Sequence, residues 1–404
     1  MPKSNDDFFK EKKDWSIVKD KLLGGYLIPY FSKIFNTRYP LLYIDAFSGK
    51  GKFDDGENGS PLIALECLCN CLQMHKGNPE VCMKFIELNH ALELEDNLSE
   101  EHKKYSQVIS GEFEENITSL LDNAFKKNPN HNVFLYIDPY GVKALNAELF
   151  DMLPQKFGTA ELLINLNSWG FLRMAFAVQK IQFQEEQEVL TYLEEYSSSL
   201  TGTINEINEI AGGDYWQSIV DRYKNNQIDG YQAEKDFSNQ YKLRLRQKYA
   251  YVLDMPIRLK ASNHPKYRMV YATNHPDGCI LMADNIAKRT EHLIVAVQNL
   301  GQMSLFPETA DNEIVSDDEL RTKIRKLLDN HQSYIRLNKF LAEFYTEYGV
   351  LCPSPRLKEI LKQLEKVRYI EVKRNPASTP STGKPSRFWS DEKGKILELQ
   401  KKSN

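Results

Sequence analysis

Four acids stand where short apolar runs stop, and their neighbours are the residue types that bind nucleotide-like ligands. Asp45 ends the run Leu41–Ile44 and opens the turn D-A-F-S-G-K-G, with Phe47, Gly49 and Gly51. Glu87 lies near the end of VCMKFIEL (81–88), Glu112 follows YSQVIS and Gly111, and Asp138-Pro139-Tyr140 closes VFLYI (133–137). In a parallel sheet all four fall at the carboxyl edge, where such sheets bind ligands. The first turn is not the dinucleotide pattern G-x-G-x-x-G, because an acid occupies the strand end. A carboxylate there repels a pyrophosphate, but it can hold an ammonium or orient a water. Asp45, Phe47, Gly49 and Gly51 therefore favour a zwitterionic ligand, such as the methionine part of S-adenosylmethionine. Glu87 is placed to accept both ribose hydroxyls, and Glu112 or Phe113 to flank the adenine. The bland reading of any single acid is a helix cap; the argument rests on their order along the chain.

Asp138, Pro139 and Tyr140 supply what a base amine needs. A carboxylate and a rigid carbonyl accept hydrogen bonds from an exocyclic amine, and the ring stacks on a flipped base. Aminomethyltransferases carry Asp/Asn-Pro-Pro-Tyr/Phe at this place; here the second proline is missing and Gly141 follows. The competing reading is a strand-to-helix turn with Tyr140 packed inward. Asn165 and Asn167 either line the same edge or cap the next helix, and His264 and His275, each before a proline, read as turn residues. A nuclease finds little support beyond Asp138 and Lys143.

The elements that must position these residues alternate. Apolar strand-length runs at 41–45, 81–88, 105–110, 133–137 and 161–166 are separated by helical segments, the pattern of a parallel sheet with helices on both faces. A helix spans Trp15 to Phe35, weakened at Gly24-Gly25, and Ser60-Pro61 reads as a serine cap with proline in the first turn. Late strands over 249–259 and 267–272 suit an antiparallel edge pair. The expected fold class is α/β: a Rossmann-like methyltransferase sheet with a helical insertion and a C-terminal winged helix. The segments are an N-terminal helical piece (1–40), the sheet domain (41–182 and 249–300), the insertion (183–248), a linker (301–317) and the winged helix (318–392).

That last unit reads as three helices, at 319–329, 338–348 and 355–366, and two strands, at 369–373 and 387–389, flanking a Pro/Ser/Thr/Gly tip. Between Arg321 and Arg387 stand fifteen Lys or Arg against six Asp or Glu. Arg356, Lys358 and Lys362 on the third helix, with Lys373, Arg374, Lys384 and Arg387 on the wing, are the expected phosphate contacts; the bland reading is a solvated basic face. In the linker, Gln302-Met303-Ser304-Leu305-Phe306 resembles the peptide that docks on a replication sliding clamp, or else pins the linker to its own domain.

Whole-chain totals exclude little else. A net charge of -4 over 404 residues gives no global nucleic-acid signature, so basic surface must be local. No apolar run has membrane-spanning length, and the start lacks a signal-peptide core, so a cytoplasmic protein is expected. Cys67, Cys69 and Cys71 read as buried thiols scattered around a helix, with no metal expected.

The combination of YIDAFSGKGKF, GSPLIALE, FLYIDPYG and YATNHPDG, over about residues 10–300, resembles the three-Cys-motif partner (TcmP) family. The resemblance implies a Rossmann-like methyltransferase fold and a radical-S-adenosylmethionine-like partner protein. It carries over Asp45, Gly49, Gly51 and Asp138; Glu87 rests on strand placement alone. The expectation is an S-adenosylmethionine-dependent methyltransferase acting on an exocyclic base amine of DNA or RNA. The alternative is a non-catalytic partner of the same fold that binds nucleic acid or a neighbouring enzyme.

Overall fold

A computed structural model describes residues 9–77, 79–139, 141–142, 144–181, 202–257, 265, 267–299, 315–379 and 383–402, without the side chains of Asp14 and 291–299. Tyr140, Lys143, His264 and Gln302–Phe306 lie outside the described residues. The chain forms two compact units, Met1–Asn274 and His275–Asn404. Among the described residues no helix is long and apolar enough to cross a membrane.

In the first unit, α1 (Asp14–Ile34) leads into β1 (Leu41–Asp45), then α2 (Ser60–Met74), β2 (Val81–Glu87), α3 (Ala91–Asn97), α4 (Glu100–Lys103), β3 (Ser106–Ser110) and α5 (Phe113–Lys127). β4 (Asn132–Ile137), α6 (Ala147–Lys156), β5 (Thr159–Leu166) and α7 (Ser168–Val178) follow, then α8 (Ile204–Ala211), α9 (Trp216–Lys224), α10 (Gly230–Leu245), β6 (Tyr251–Ile257) and β7 (Tyr267–Thr273). The seven strands form one sheet in the order β3-β2-β1-β4-β5-β7-β6. β1 to β5 are parallel, β7 runs against β5, and β6 runs against β7. The order reverses between β1 and β4, which opens a crevice at their carboxyl ends.

Both faces are covered, so the strand sequences are nearly all apolar. Tyr43, Phe85 and Phe134 alternate onto the α1 face; the Phe134 ring lies 5.8 Å from that of Tyr26 and 5.3 Å from that of Tyr30. Leu42, Ile44, Val133, Leu135, Leu162 and Ile164 alternate onto the other face, against α5, α6 and α7. Each fully buried side chain of this size contributes roughly 1.5–3 kcal/mol. Gly24 does not break α1: a Cβ there would sit 3.1 Å from Ile63 of α2, so glycine is what lets the two helices pack closely.

The described part of the insertion shares this second core, through Ile207, Trp216, Ile219, Phe237 and Tyr241. An ion-pair chain fixes it further. The Glu234 carboxylate, buried on α10, accepts from Arg268 of β7 at 2.8 and 2.9 Å, and Arg268 also donates to Asp254 of β6 at 2.8 Å. Lys242 completes the chain, donating to Asp254 at 2.6 Å. Burial alone would raise Asp254, but Lys242 and Arg268 bring it down to about 2.

The second unit contains α11 (Pro276–Asn299), α12 (Asp317–Asp329), β8 (Ile335–Arg336), α13 (Leu337–Tyr348), α14 (Ser354–Lys366), β9 (Ile370–Asn375) and β10 (Ile396–Lys401), its strands in the antiparallel order β8-β10-β9. Two expectations change here. Residues 276–299, counted with the sheet domain, belong to the C-terminal unit, where Asp284 accepts from the Ser354 N–H at 2.6 Å and caps α14. The strand expected at 387–389 forms instead at 396–401, where alternation buries Leu397 and Leu399 completely.

Candidate functional site

Asp45 and Asp138 flank the crevice between β1 and β4. Beyond β1 the backbone stays tied to the sheet, with the Ala46 N–H donating to Tyr136 at 3.0 Å and the Ser48 N–H to Ile86 at 3.1 Å. The chain then turns through Gly49 (φ 61) and Gly51 (φ 74), left-handed conformations that favour glycine. Space demands glycine as well: a Cβ on Gly51 would lie 2.5 Å from Leu94, and one on Gly49 would lie 2.9 Å from the Phe9 ring.

Glu87 braces these turns. Its Oε2 accepts the Gly49 N–H at 2.7 Å, and its Oε1 accepts those of Asn89 at 2.9 Å and His90 at 3.1 Å. A carboxylate has about four acceptor positions, so one remains on Oε2. The Gly111 N–H donates to the Glu87 carbonyl at 3.1 Å, bringing the third turn alongside; Glu112 is exposed there. Phe47, half-buried, packs its ring 5.4 Å from that of Phe113. Asp45, Phe47, Gly49, Gly51, Glu87 and Glu112 thus share one edge of the sheet.

Asp45 differs from the open carboxylate that the sequence leads one to expect. It is fully buried, accepting the Ser60 hydroxyl at 2.6 Å and the Phe47 N–H at 3.3 Å. Ser60 therefore does not cap α2; its hydroxyl is spent on Asp45, and the N-cap residue is Gly59. Burial pushes the Asp45 carboxyl up to about 7; Ser60 and Phe47 oppose this, and Asp138 and Asp20 add to it.

Asp138 is held from three sides. Lys19 of α1 donates to Oδ2 at 2.5 Å, the Tyr136 hydroxyl reaches the same oxygen at 3.3 Å, and the Asn165 amide donates to Oδ1 at 2.7 Å. Lys19 is nearly buried, and Pro139 is buried beside the pair. Asp20, next along α1, is raised by burial and pairs with Lys12 at 2.7 Å. The two asparagines divide the readings between them: Asn165 lines the site, while Asn167 caps α7 through Gly170 at 2.8 Å. Among the described residues, Asn165 Oδ1 and Ser16 Oγ are buried with no hydrogen-bond partner. Each such atom costs roughly 1–3 kcal/mol.

Lys19, Asp20 and Lys12 were not singled out from the sequence, and Ser60 was read only as a helix cap. One signal was available for Lys19, which lies three, four and seven residues before Leu22, Leu23 and Tyr26, on the buried stripe of α1. The cysteines are less scattered than the helix phase suggested. Cys67 and Cys71 share one side of α2 and donate to the Gly24 and Ile28 carbonyls of α1. Among the described residues no group of three or more His, Cys, Asp or Glu could hold a metal ion.

In the C-terminal unit three of the seven expected phosphate contacts are engaged internally. Arg356 binds Asp317 and the Val315 carbonyl, both at 2.7 Å. Arg374 grips Glu365 with two bonds of 2.8 Å, and Lys362 pairs with Glu359 at 3.0 Å. Lys373 lies 3.6 Å over the Tyr334 ring and opposite Glu398 on β10. Lys384 and Arg387 are exposed at the tip and Lys358 is half-exposed.

No protein-family model matches this sequence, and no curated protein aligns with it significantly.

Proposed function

We propose that the chain is a cytoplasmic S-adenosylmethionine-dependent methyltransferase of the TcmP type, acting on an exocyclic amino group of nucleic acid. The observation that carries this reading is the switch-point crevice, with a glycine turn after β1 and acids after β1, β2, β3 and β4 along one edge. The chain's residues fit the cofactor. Gly49 and Gly51 hold the tight turn at the end of β1, Glu87 keeps an acceptor position for a ribose hydroxyl, and Asn165, bonded to Asp138, keeps an unpaired Oδ1. The cofactor supplies the electrophilic methyl group; the transfer is a direct displacement in which positioning carries most of the catalysis. Asp138 accepts the target amine once Lys19 gives way, and Asn165 fixes the other carboxylate oxygen. The order helix, strand, helix, helix, strand, strand from α12 to β10 supports a winged helix that delivers the polynucleotide.

A second reading, a non-catalytic partner of the same fold, is favoured by one observation: both oxygens of Asp138 already have partners within the chain. Such a partner would serve a radical-S-adenosylmethionine-like enzyme. Two measurements separate the readings. Calorimetry reports whether S-adenosylmethionine binds, and transfer of a labelled methyl group to DNA or RNA reports chemistry. Asp138→Ala is expected to abolish transfer with cofactor binding retained. Binding without transfer by the wild type on any nucleic acid would favour the partner; no binding at millimolar ligand would remove the cofactor site itself.

A further inference from the structure

Five cations of the C-terminal unit gather around one tyrosine, on elements other than the wing tip. Arg325 of α12 lies over the Tyr369 ring at 4.7 Å, and Lys401 of β10 lies over it at 5.8 Å. The Lys402 N–H donates to the Tyr369 carbonyl at 3.0 Å. Arg368 precedes the tyrosine with φ 60, and Lys366 is the last residue of α14. All five side chains are exposed. The turn closes with Tyr369 donating to Leu364 at 2.9 Å and Arg368 to Glu365 at 3.0 Å, a helix end at which glycine is usual.

The dipole at the carboxyl end of α14 explains why cations suit positions 366 and 368. It does not explain Arg325, Lys401 and Lys402, which come from other elements. Among the described residues one acid answers them, Asp329, paired with Lys401 at 2.5 Å. Exposed like charges repel by only about 1 kcal/mol a pair in water even at about 4 Å. The fold tolerates that, and an incoming polyanion removes it. By contrast, Arg356, Arg374 and Lys362 already have carboxylate partners, so the face around the third helix and wing has less charge to offer.

The geometry points to the Tyr369 face, formed by Arg325, Lys366, Arg368, Lys401 and Lys402, as the surface that contacts the phosphate backbone of nucleic acid. The inference rests on the nucleic-acid reading above and moves the contact away from the wing. The cations neutralise phosphates and read no bases, so binding is sequence-independent and steeply salt-dependent.

The test uses the full chain, a labelled DNA duplex and an RNA duplex of the same sequence, with fluorescence anisotropy across a salt titration. The variant Arg325→Gln/Arg368→Gln/Lys402→Gln is compared with the tip variant Lys384→Gln/Arg387→Gln, both checked for wild-type circular dichroism. At about 0.9 per phosphate contact, the triple variant is expected to lose about three from the slope of log K against log salt. Its low-salt affinity should fall on the order of tenfold or more, and the tip variant should stay close to wild type. Single Arg368→Gln and Lys402→Gln variants, each losing about one from the slope, carry the test if the triple variant fails to fold. Wild-type affinity in the triple variant, with the loss appearing in the tip variant, overturns this face and leaves the nucleic-acid reading standing. A wild type that binds neither duplex at low salt overturns both.

Discussion

Glu161 is the acid whose behaviour the fold dictates most completely. It sits on β5, 5% exposed, where its Oε2 accepts the Tyr26 hydroxyl at 2.5 Å and the Tyr271 hydroxyl at 2.8 Å. Thr273 reaches its Oε1 at 3.5 Å. Burial pushes this carboxyl from its ordinary 4.5 up to about 7, although the three hydroxyls pull it down. Below the ordinary value, folded and unfolded chains both hold the proton and no penalty arises. Between 4.5 and about 7 the unfolded chain releases it while the folded chain keeps it, so stability falls by about 1.4 kcal/mol per pH unit. Above 7 the loss levels off near 3 kcal/mol, because 7 − 4.5 spans 2.5 pH units. In Glu161→Gln the amide oxygen still accepts from both tyrosines and the amide nitrogen donates to Thr273, so the penalty disappears while the contacts persist. Urea unfolding followed by tryptophan fluorescence tests this, since Trp169 and Trp216 are buried in the same unit. The variant should gain about 3 kcal/mol on the wild type between acid and mildly alkaline pH. Asp45, raised in the same direction, leaves a residual slope of the same sign in both proteins. Parallel pH profiles for the two proteins would refute the reasoning.

Two further outcomes follow from the geometry. Gly51→Ala places a methyl 2.5 Å from Leu94 in a left-handed turn, which costs at least about 1–2 kcal/mol; the melting temperature should fall, and with the turn displaced S-adenosylmethionine binding measured by calorimetry should weaken. Arg268→Met strands Glu234 and Asp254 without their shared partner, and thermal unfolding should show a loss of about 3–5 kcal/mol. That variant also tests whether the insertion is a fixed part of the core.

Some of the candidate site could be read from the chain alone. Asp45, Glu87 and Asp138 announce themselves because each ends a short apolar run, and parallel strands carry their ends to one edge. The glycines of the first turn are legible for the same local reason: a sharp turn needs left-handed backbone. Lys19 was harder, because it reaches Asp138 across 119 residues from a different element. Ser60 was misread because a serine before a proline has the form of a cap, and only the fold brings the Asp45 carboxylate to its hydroxyl. Arg387–Trp389 looked like a strand on residue type, yet the Arg374 guanidinium spans that stretch, donating to the Phe388 carbonyl at 3.0 Å.

Residue order alone dictates the alternation of strand and helix, the edge on which the acids lie, and the local excess of cations near the C-terminus. These are short-range consequences of periodicity and residue type. Tertiary structure alone decided the state of each charge. Asp45 is sealed with Ser60, Asp138 is bridged to Lys19, and Arg356 and Arg374 are spent on ion pairs while the cations around Tyr369 remain exposed. Desolvation and charge pairing depend on what lies within a few ångströms in space, and chain distance does not encode that.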